Sequence, residues 1–503
     1  MNGSLYSWDN WFFRIRRGIV LLLIIFPFGC NRSPSPGNPI ATELPNIIVI
    51  LVDDLGWRDV GFNGSVYHET PNLDRLAGQG MVFKNAYASS AVCSPSRAAI
   101  QTGVSPAKLK ITNWIHAGFQ LDEFGETVPR DSIFRPELQF KDEFKVGYAN
   151  NPFWMNLEEE TLAELLKKRG FHSGHIGKWH LGLTKTWFPE AQGYDVNIGG
   201  TDFGQPPSYF DPYFSERFGA GDISNLPPRD NGEYLTDREG DEAINFISKN
   251  KDRPFFLHLA HYAVHTPIQA KEDIIGKYAS KDTVDQQTNA TYAAMVESVD
   301  QSVGRIMEAL DSLGLARNTL LIFTSDNGGE PTVTSNAPLR SGKGRPYEGG
   351  IRVPQIIRWP AKIAPGSVSL TPVIGHDIFP TLAEITGTEI EHPDRIEGSS
   401  LLPLMEGKSS ELETRPLYWH YPHYVGHIIT PFSVVQTGGW KLIKWYEGPV
   451  YELFDLKNDP FEERNVISMH PEKSDEMRQL LENWLVKTEA TVPKPNPAYR
   501  EAE

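Results

Sequence analysis

Twice in this chain a run of apolar, mostly β-branched residues stops on a pair of ligand-type side chains. Ile47-Ile48-Val49-Ile50-Leu51-Val52 ends in Asp53-Asp54, and Thr319-Leu320-Leu321-Ile322-Phe323-Thr324 runs through Ser325 into Asp326-Asn327. A continuous apolar run of this kind fits a strand covered on both faces, as in a parallel sheet. A third such run, Pro254-Phe255-Phe256-Leu257-His258-Leu259-Ala260, leads into His261-Tyr262-Ala263-Val264-His265-Thr266-Pro267. In open α/β sheets, sites gather outside the carboxyl ends of the strands. Adjacent carboxylates at such a place are costly unless a cation neutralises them. The expectation is an α/β protein with a large mixed, mostly parallel sheet flanked by helices and a metal cluster at one sheet end.

The 503-residue chain carries a formal net charge of −16, the opposite of the basic footprint that a nucleic-acid binder shows, so nucleic acid is excluded as a partner. An anionic ligand would need a local positive island in that negative field. The N-terminus reads as a processing signal. Arg14, Arg16 and Arg17 precede the apolar run from Gly18 to Gly29, which is short for a membrane-spanning helix. Cys30 after Gly29 resembles a bacterial lipoprotein cleavage site. Residues 1–30 are therefore expected to be a signal peptide and residues 31–45, rich in Ser, Pro, Gly and Asn, a flexible tether. The protein is expected to be exported, to the periplasm or to the outer membrane or cell surface, with Cys30 as a candidate lipid anchor. That leaves Cys93 as the one other cysteine, with no partner for an internal disulfide.

Helical spacing predicts helices over 158–169, 236–250, 291–313, 377–386 and 471–487. The texture changes near residue 405. Trp440 to Trp445 and Tyr451 to Leu456 read as an antiparallel hairpin, so residues 46–405 are taken as the main domain and 406–503 as a small C-terminal α+β subdomain, an antiparallel sheet plus a helix. Within it, Tyr418-Trp419-His420-Tyr421-Pro422-His423-Tyr424 is an aromatic-histidine cluster of the kind that suits sugar rings, which makes His420 and His423 candidate substrate contacts. Asn113-Trp114-Ile115-His116 is a further candidate, with His116 the side chain of interest. The polar insertion from Gly118 to Asn151 reads as a wall of the cleft. His172 and His175 read as structural.

Four more segments carry chemistry. Cys93-Ser94-Pro95-Ser96-Arg97 is followed by Thr102-Gly103. Gly177-Lys178-Trp179-His180-Leu181-Gly182 holds an ammonium and an imidazole two residues apart, which on a strand would face one side. Gly342-Lys343 precedes Tyr347-Glu348-Gly349-Gly350 and Arg352-Val353-Pro354. His265-Thr266-Pro267 follows the third buried run. Together with Asp53-Asp54-Leu55-Gly56, Thr70-Pro71-Asn72-Leu73-Asp74-Arg75-Leu76-Ala77 and Asp326-Asn327-Gly328-Gly329, these segments resemble the type I, formylglycine-dependent sulfatases. The likeness is to arylsulfatase-like enzymes of the exported bacterial polysaccharide type, and it covers nearly the whole chain after residue 45.

The resemblance implies an alkaline-phosphatase-like fold and a sulfuric ester hydrolase. It implies that Cys93 is oxidised after translation to formylglycine, whose hydrate attacks sulfur with one oxygen and expels sulfate with the other. Pro95 and Arg97 would serve recognition by the formylglycine-generating enzyme, and Arg97 would later pair with the diol. Arg97, Lys178 and Lys343 would offset sulfate charge. His180 would orient the diol and take its proton, and His265, favoured over His261 by the proline of His265-Thr266-Pro267, would protonate the leaving oxygen with Lys343 assisting. The metal set would be Asp53, Asp54, Asp326 and Asn327, together with the converted Cys93. Asp and Asn are hard oxygen donors, which suits Ca2+, with Mg2+ second; zinc and iron would want His or Cys. The expected substrate is a sulfated carbohydrate, an algal galactan, ulvan or a glycosaminoglycan. Two alternatives share parts of this pattern. A phosphoester or phosphonate hydrolase of the same superfamily would typically add a second metal set, which the sequence does not offer. A non-catalytic sugar-binding surface lipoprotein would have lost Cys93 or the cations.

Overall fold

The computed structural model describes residues 44–115, 137–215, 223, 225–226, 232–408, 412, 414–426, 428–448 and 450–500. The expectations for the signal peptide, for Cys30, for most of the tether, for His116 and for the first part of the insertion lie outside these residues. From Leu44 onward the chain clusters as one compact unit. No described helix is long and apolar enough to cross a membrane.

Eight strands form the main sheet: β1 Asn46–Val52, β2 Met81–Phe83, β3 His172–Gly177, β4 Val196–Ile198, β5 Phe255–His261, β6 Thr319–Ser325, β7 Gln355–Arg358 and β8 Ser367–Ser369. Their order is β8-β2-β7-β6-β1-β5-β3-β4. β1 lies at the centre, parallel to β5 and β6, with Val52 beside both His261 and Ser325. Only β7 opposes its neighbours. Alternation along β1 explains why its apolar run is unbroken. Ile48, Ile50 and Val52 enter one core with the helices Leu235–Lys249 and Ala290–Ser312. Ile47, Val49 and Leu51 enter a second core with Leu162, Leu165 and Leu166 and the helix Ile378–Thr386. A strand with a core on each face has no polar side to show.

The helices follow the apolar spacing closely, and the helix Pro471–Lys487 has the predicted bounds. The stretch read as 158–169 is shorter, Leu162–Lys167. Thr161 caps it, with its side chain accepting from Glu164 N and Glu164 reaching back to Thr161 N, a capping box that fixes the start. Lys178 and His180 are not on a strand. β3 ends at Gly177, where φ is +91° and a Cβ would stand 2.1 Å from Ala260 O, and His180 has a left-handed backbone with φ +60°. The loop, not strand alternation, directs these two side chains.

Near the C-terminus, β9 Leu417–Tyr421, β10 Phe432–Thr437, β11 Trp440–Trp445 and β12 Tyr451–Asp455 form an antiparallel sheet in sequential order. The helix Pro471–Lys487 packs on it through Met477, Leu481, Trp484 and Leu485. The seam with the main sheet is a shared core: Tyr87, Ala91, Val92 and Ile351 pack with Leu417, Trp419, Tyr421 and Phe432. That seam corrects the reading of the aromatic-histidine cluster. His420 bonds Ser433 Oγ (2.7 Å) and faces Thr491 O (3.2 Å), and His423 bonds Thr112 Oγ1 at 2.7 Å. Both rings are buried, 5% and 3% exposed, so neither can meet a substrate directly. A strand that alternates into a seam needs aromatic and polar side chains together, and in sequence that looks like a sugar-binding face.

Candidate active site

The carboxyl ends of β1, β5 and β6 meet the start of the helix Cys93–Thr102 and the loop after β3. Cys93 is the first residue of that helix, and Pro95 lies in its first turn, where a missing N–H leaves no helical bond unmade. All ten residues of the helix are buried. Arg97, one turn on from Cys93, donates from Nε to Asp326 Oδ2 (2.8 Å) and from Nη1 to Lys178 O (2.9 Å).

Two aspartates at the end of β1 face opposite cations. Lys178 Nζ donates to Asp53 Oδ2 at 2.6 Å, and Lys343 Nζ donates to Asp54 Oδ2 at 2.7 Å. Asp54 adopts φ +62°, a left-handed conformation that Asp and Asn tolerate better than most side chains. Its N–H donates to Asp326 Oδ1 (3.2 Å), and its Oδ1 accepts from Asn327 Nδ2 (2.8 Å). The Cys93 thiol donates to Asp53 Oδ1 at 3.5 Å, and His265 Nε2 lies 3.5 Å from Asp54 Oδ2. Ligand atoms of Asp53, Asp54, Cys93 and His265 all lie within 4.8 Å of one another, the one such cluster among the described residues. Asp326 adjoins it, with its two oxygens turned to Arg97 and to the Asp54 N–H.

Electrostatics follow from this crowding. Burial, with Asp326 and Asp54 nearby, pushes Asp53 up to about 7 against the pull of Lys178 and Arg97. Burial works the same way on Asp54, but Lys343, His265 and Lys178 overcome it and hold that carboxyl below its ordinary value. Burial pushes the Cys93 thiol up to about 12, so the unmodified side chain is a poor nucleophile at neutral pH. Burial, then Lys343, pushes His265 down to about 3, and burial with Lys178 holds His180 well below the ordinary histidine value.

Three buried polar atoms of the site have no hydrogen-bond partner: Asn327 Oδ1, His180 Nδ1 and Arg97 Nη2. Native proteins seldom leave such atoms unmet unless an ion, ligand or water meets them. An unpartnered Asn oxygen beside three carboxylates is a donor set for a hard cation, so the residues fit a bound Ca2+ or Mg2+. The imidazole of His180 has a defined tautomer. Its Nε2 lies 2.6 Å from Ile115 O, which can only accept, so Nε2 carries the proton and Nδ1 offers a lone pair. By the same logic His265 Nδ1, 2.9 Å from Thr266 O, carries its proton and leaves Nε2 toward Asp54.

His261 and His265 part company. His261 is fully buried between Glu239 Oε2 (2.6 Å) and Ser302 Oγ (3.2 Å), away from the ligand cluster, whereas His265 borders it. His175 and His258 pair under the helix, Nδ1 to Nδ1 at 3.2 Å.

One residue that sequence reasoning passed over ties the loops together. Asp59 accepts from Gly56 N (3.0 Å), Tyr292 OH (2.7 Å), Thr334 Oγ1 (2.8 Å) and Gln287 Nε2 (3.3 Å). It thereby joins the Asp53-Asp54 loop to the loop after Asp326-Asn327. Its only sequence signal is an acid three residues beyond the glycine of a ligand loop. The glycine pairs also have a physical reason, because a Cβ on Gly328 would stand 1.9 Å from Gly349 O.

Known proteins resemble this chain over most of its length. The family described as Sulfatase matches residues 45–388, and the family described as N-sulphoglucosamine sulphohydrolase, C-terminal, matches residues 343–491. A protein of Formosa agariphila named sulfatase is 32% identical over 92% of this chain and 93% of its own length. The N-acetylgalactosamine-6-sulfatase of Mus musculus is 32% identical over 92% of this chain and 82% of its own. The crystal structure of Ps i-CgsB in complex with k-i-k-neocarrahexaose superposes with a TM-score of 0.73 at 31% identity, covering 88% of this chain and 93% of that one.

Proposed function

The chain belongs to the sulfatase family and is a hydrolase of sulfate esters, and from that premise we propose that it removes sulfate from a sulfated carbohydrate, using formylglycine at position 93 and one calcium ion. The observation that carries the mechanistic reading is the set of unpartnered atoms on Asn327, His180 and Arg97 around Cys93. The carbohydrate reading draws support from a relative named N-acetylgalactosamine-6-sulfatase and from a similar structure in complex with an oligosaccharide, k-i-k-neocarrahexaose.

Asp53, Asp54, Asp326 and Asn327 would hold the metal, which when bound polarises a sulfate oxygen and favours an ionised nucleophile. A hydrated formylglycine at position 93 supplies the attacking oxygen, which the buried thiol cannot. Arg97, Lys178 and Lys343 bring three positive charges against the three carboxylates. A cation and a sulfate ester can then enter as opposite charges without a large net change. The ammoniums offset the anionic oxygens that repel a nucleophile and stabilise charge in the transition state. His180, with its proton fixed on Nε2, accepts at Nδ1 the proton of the diol's second oxygen. His265 protonates the leaving sugar oxygen from Nε2. The resting ring is neutral, and an anionic ester arriving beside it raises its affinity for a proton.

The test has two arms. Peptide mass spectrometry of the segment around Cys93 should find an aldehyde or its hydrate in active enzyme. Defined sulfated oligosaccharides should release sulfate. A thiol in fully active enzyme, or sulfate release from none of the oligosaccharides, would defeat the proposal. The same holds for stoichiometric zinc in place of calcium. Localisation is part of the same reading: an exported enzyme, lipid-anchored through Cys30, in which a maturation enzyme of the producing cell converts Cys93.

A further inference from the structure

The charged site accounts for a sulfate group and leaves the sugar without a seat. Trp114 stands next to that site on a rigid bracket. Ile115 N donates to Ser94 Oγ (3.0 Å), and Ile115 O accepts from His180 Nε2 at 2.6 Å. The preceding Cα lies about 3.8 Å away, so Trp114 flanks the N-terminal end of the Cys93 helix. Its half-buried side chain packs against the seam core that contains Ala91 and Val92, the residues just before Cys93. Its backbone N–H donates to Asn113 Oδ1 (2.9 Å), and its indole N–H has no acceptor among the described residues.

Apolar side chains continue from there toward Lys343. Ala91 O accepts from Gly344 N at 2.8 Å, and Ile429 Cδ1 would stand 2.4 Å from a Cβ on Gly344. Ile429 and Tyr347 are half-buried against the same core as Trp114. One end of this apolar strip adjoins the residues just before Cys93, and the other adjoins Gly344, the neighbour of Lys343. The C-terminal sheet and its neighbours hold the bracket from behind. Tyr421 OH donates to Asn113 Oδ1 (2.9 Å), His423 bonds Thr112, and Asn151 Nδ2 donates to Asn113 O (3.0 Å) and Trp114 O (3.3 Å).

We propose that Trp114 is the platform for the C–H face of the sugar ring that bears the sulfate, and that the C-terminal sheet acts on substrate by positioning it. The inference rests on the carbohydrate reading of the previous subsection and names the residue that reads the sugar. A half-buried aromatic whose N–H meets no acceptor among the described residues suits a ring that offers apolar faces and hydroxyl rims. It gives the buried His423 and Tyr421 a positioning role, through their hydrogen bonds to Thr112 and Asn113.

The experiment compares a sulfated oligosaccharide that the wild-type enzyme turns over with inorganic sulfate as a competitive inhibitor. Trp114→Ala should raise KM for the oligosaccharide on the order of tenfold while the sulfate inhibition constant stays at its wild-type value. Trp114→Phe, which keeps an aromatic face, should recover most of the loss. An unchanged KM in Trp114→Ala overturns the inference. Equal weakening of oligosaccharide and sulfate also overturns it, because the bracket would then serve only His180. If the wild-type enzyme releases sulfate from no oligosaccharide, the carbohydrate reading itself has failed. If it does so and Trp114→Ala behaves as wild type, only the platform has failed.

Discussion

Two clusters of buried charge in this molecule share components and differ in one respect. At the seam, Lys441 Nζ donates to Glu348 Oε1 (2.7 Å) and Glu462 Oε1 (2.8 Å). Glu348 Oε2 accepts from Tyr87 OH (3.0 Å), and Glu462 Oε2 accepts from Glu348 N (2.7 Å). Every carboxylate oxygen there has a donor. At the ends of β1 and β6, lysines and carboxylates also pair, yet Asn327 Oδ1, His180 Nδ1 and Arg97 Nη2 have no hydrogen-bond partner, Arg97 Nη2 reaching Asp53 Oδ1 only as an ion pair at 3.7 Å. The seam leaves one neutral amide oxygen unmet, Gln436 Oε1, whose Nε2 donates to the Tyr87 hydroxyl; the site leaves an amide oxygen, an imidazole nitrogen and a guanidinium nitrogen. Burial and ion pairing alone do not tell the two apart; the gathering of several unmet polar atoms in one site does.

The comparison breaks most sharply at Cys93. Cys93→Ala should cut turnover by on the order of 10⁴-fold or more while the thermal midpoint moves little, since only a small side chain leaves an otherwise intact helix. Retained turnover, or collapse of the fold, would mean that the site cluster is structural like the seam. His265→Ala should lose roughly 10²–10⁴ in kcat/KM on a sulfated sugar and far less on an activated aryl sulfate, whose leaving group needs no proton. Equal losses on both substrates would reassign His265 to holding sulfate.

The seam should respond in the opposite way. Lys441→Met leaves two buried carboxylates without their shared cation and should cost about 3–5 kcal/mol of stability, measured by denaturant unfolding, with kcat per folded molecule preserved. The smallest effect is on pH. Burial, with Glu348 beside it, raises Glu462 to about 7 from its ordinary 4.5. The folded state therefore binds more protons than the unfolded state between those values, and this group's contribution makes stability fall as pH rises through that window. Glu348, held below its ordinary value mainly by Lys441 against burial, contributes stability that is lost only at lower pH. Glu462→Gln should flatten the stability profile between about 4.5 and 7; a profile as steep as wild type would assign the slope elsewhere.

Much of this was legible before any coordinates. The apolar runs gave β1, β5 and β6 because strands with a core on each face cannot hide in a polar pattern. The paired ligands after them pointed to the cluster because sheet topology puts strand ends together. Lys178 and His180 were also assigned to one site, but from strand periodicity, whereas Gly177 and a left-handed His180 do the work. Asp59 was missed because its four donors come from segments as distant as Tyr292 and Thr334, and no local pattern carries that information. His420 and His423 were misread because an interface between sheets and a sugar-binding face draw on the same side chains. His116 and Cys30 lie outside the described residues.

The central position of β1 has a consequence in time. Asp54 meets Asp326 across 272 positions of chain, and both neighbours of β1 come late in the sequence. At about 5–20 residues per second, synthesis takes on the order of tens of seconds to supply them. Until then the earliest strand lacks both of its sheet partners, and the ten residues from Cys93 to Thr102, wholly buried in the finished fold, lack the strands that help to cover them. Any enzyme that must reach Cys93 works within that interval, before the chain closes over its own reactive residue.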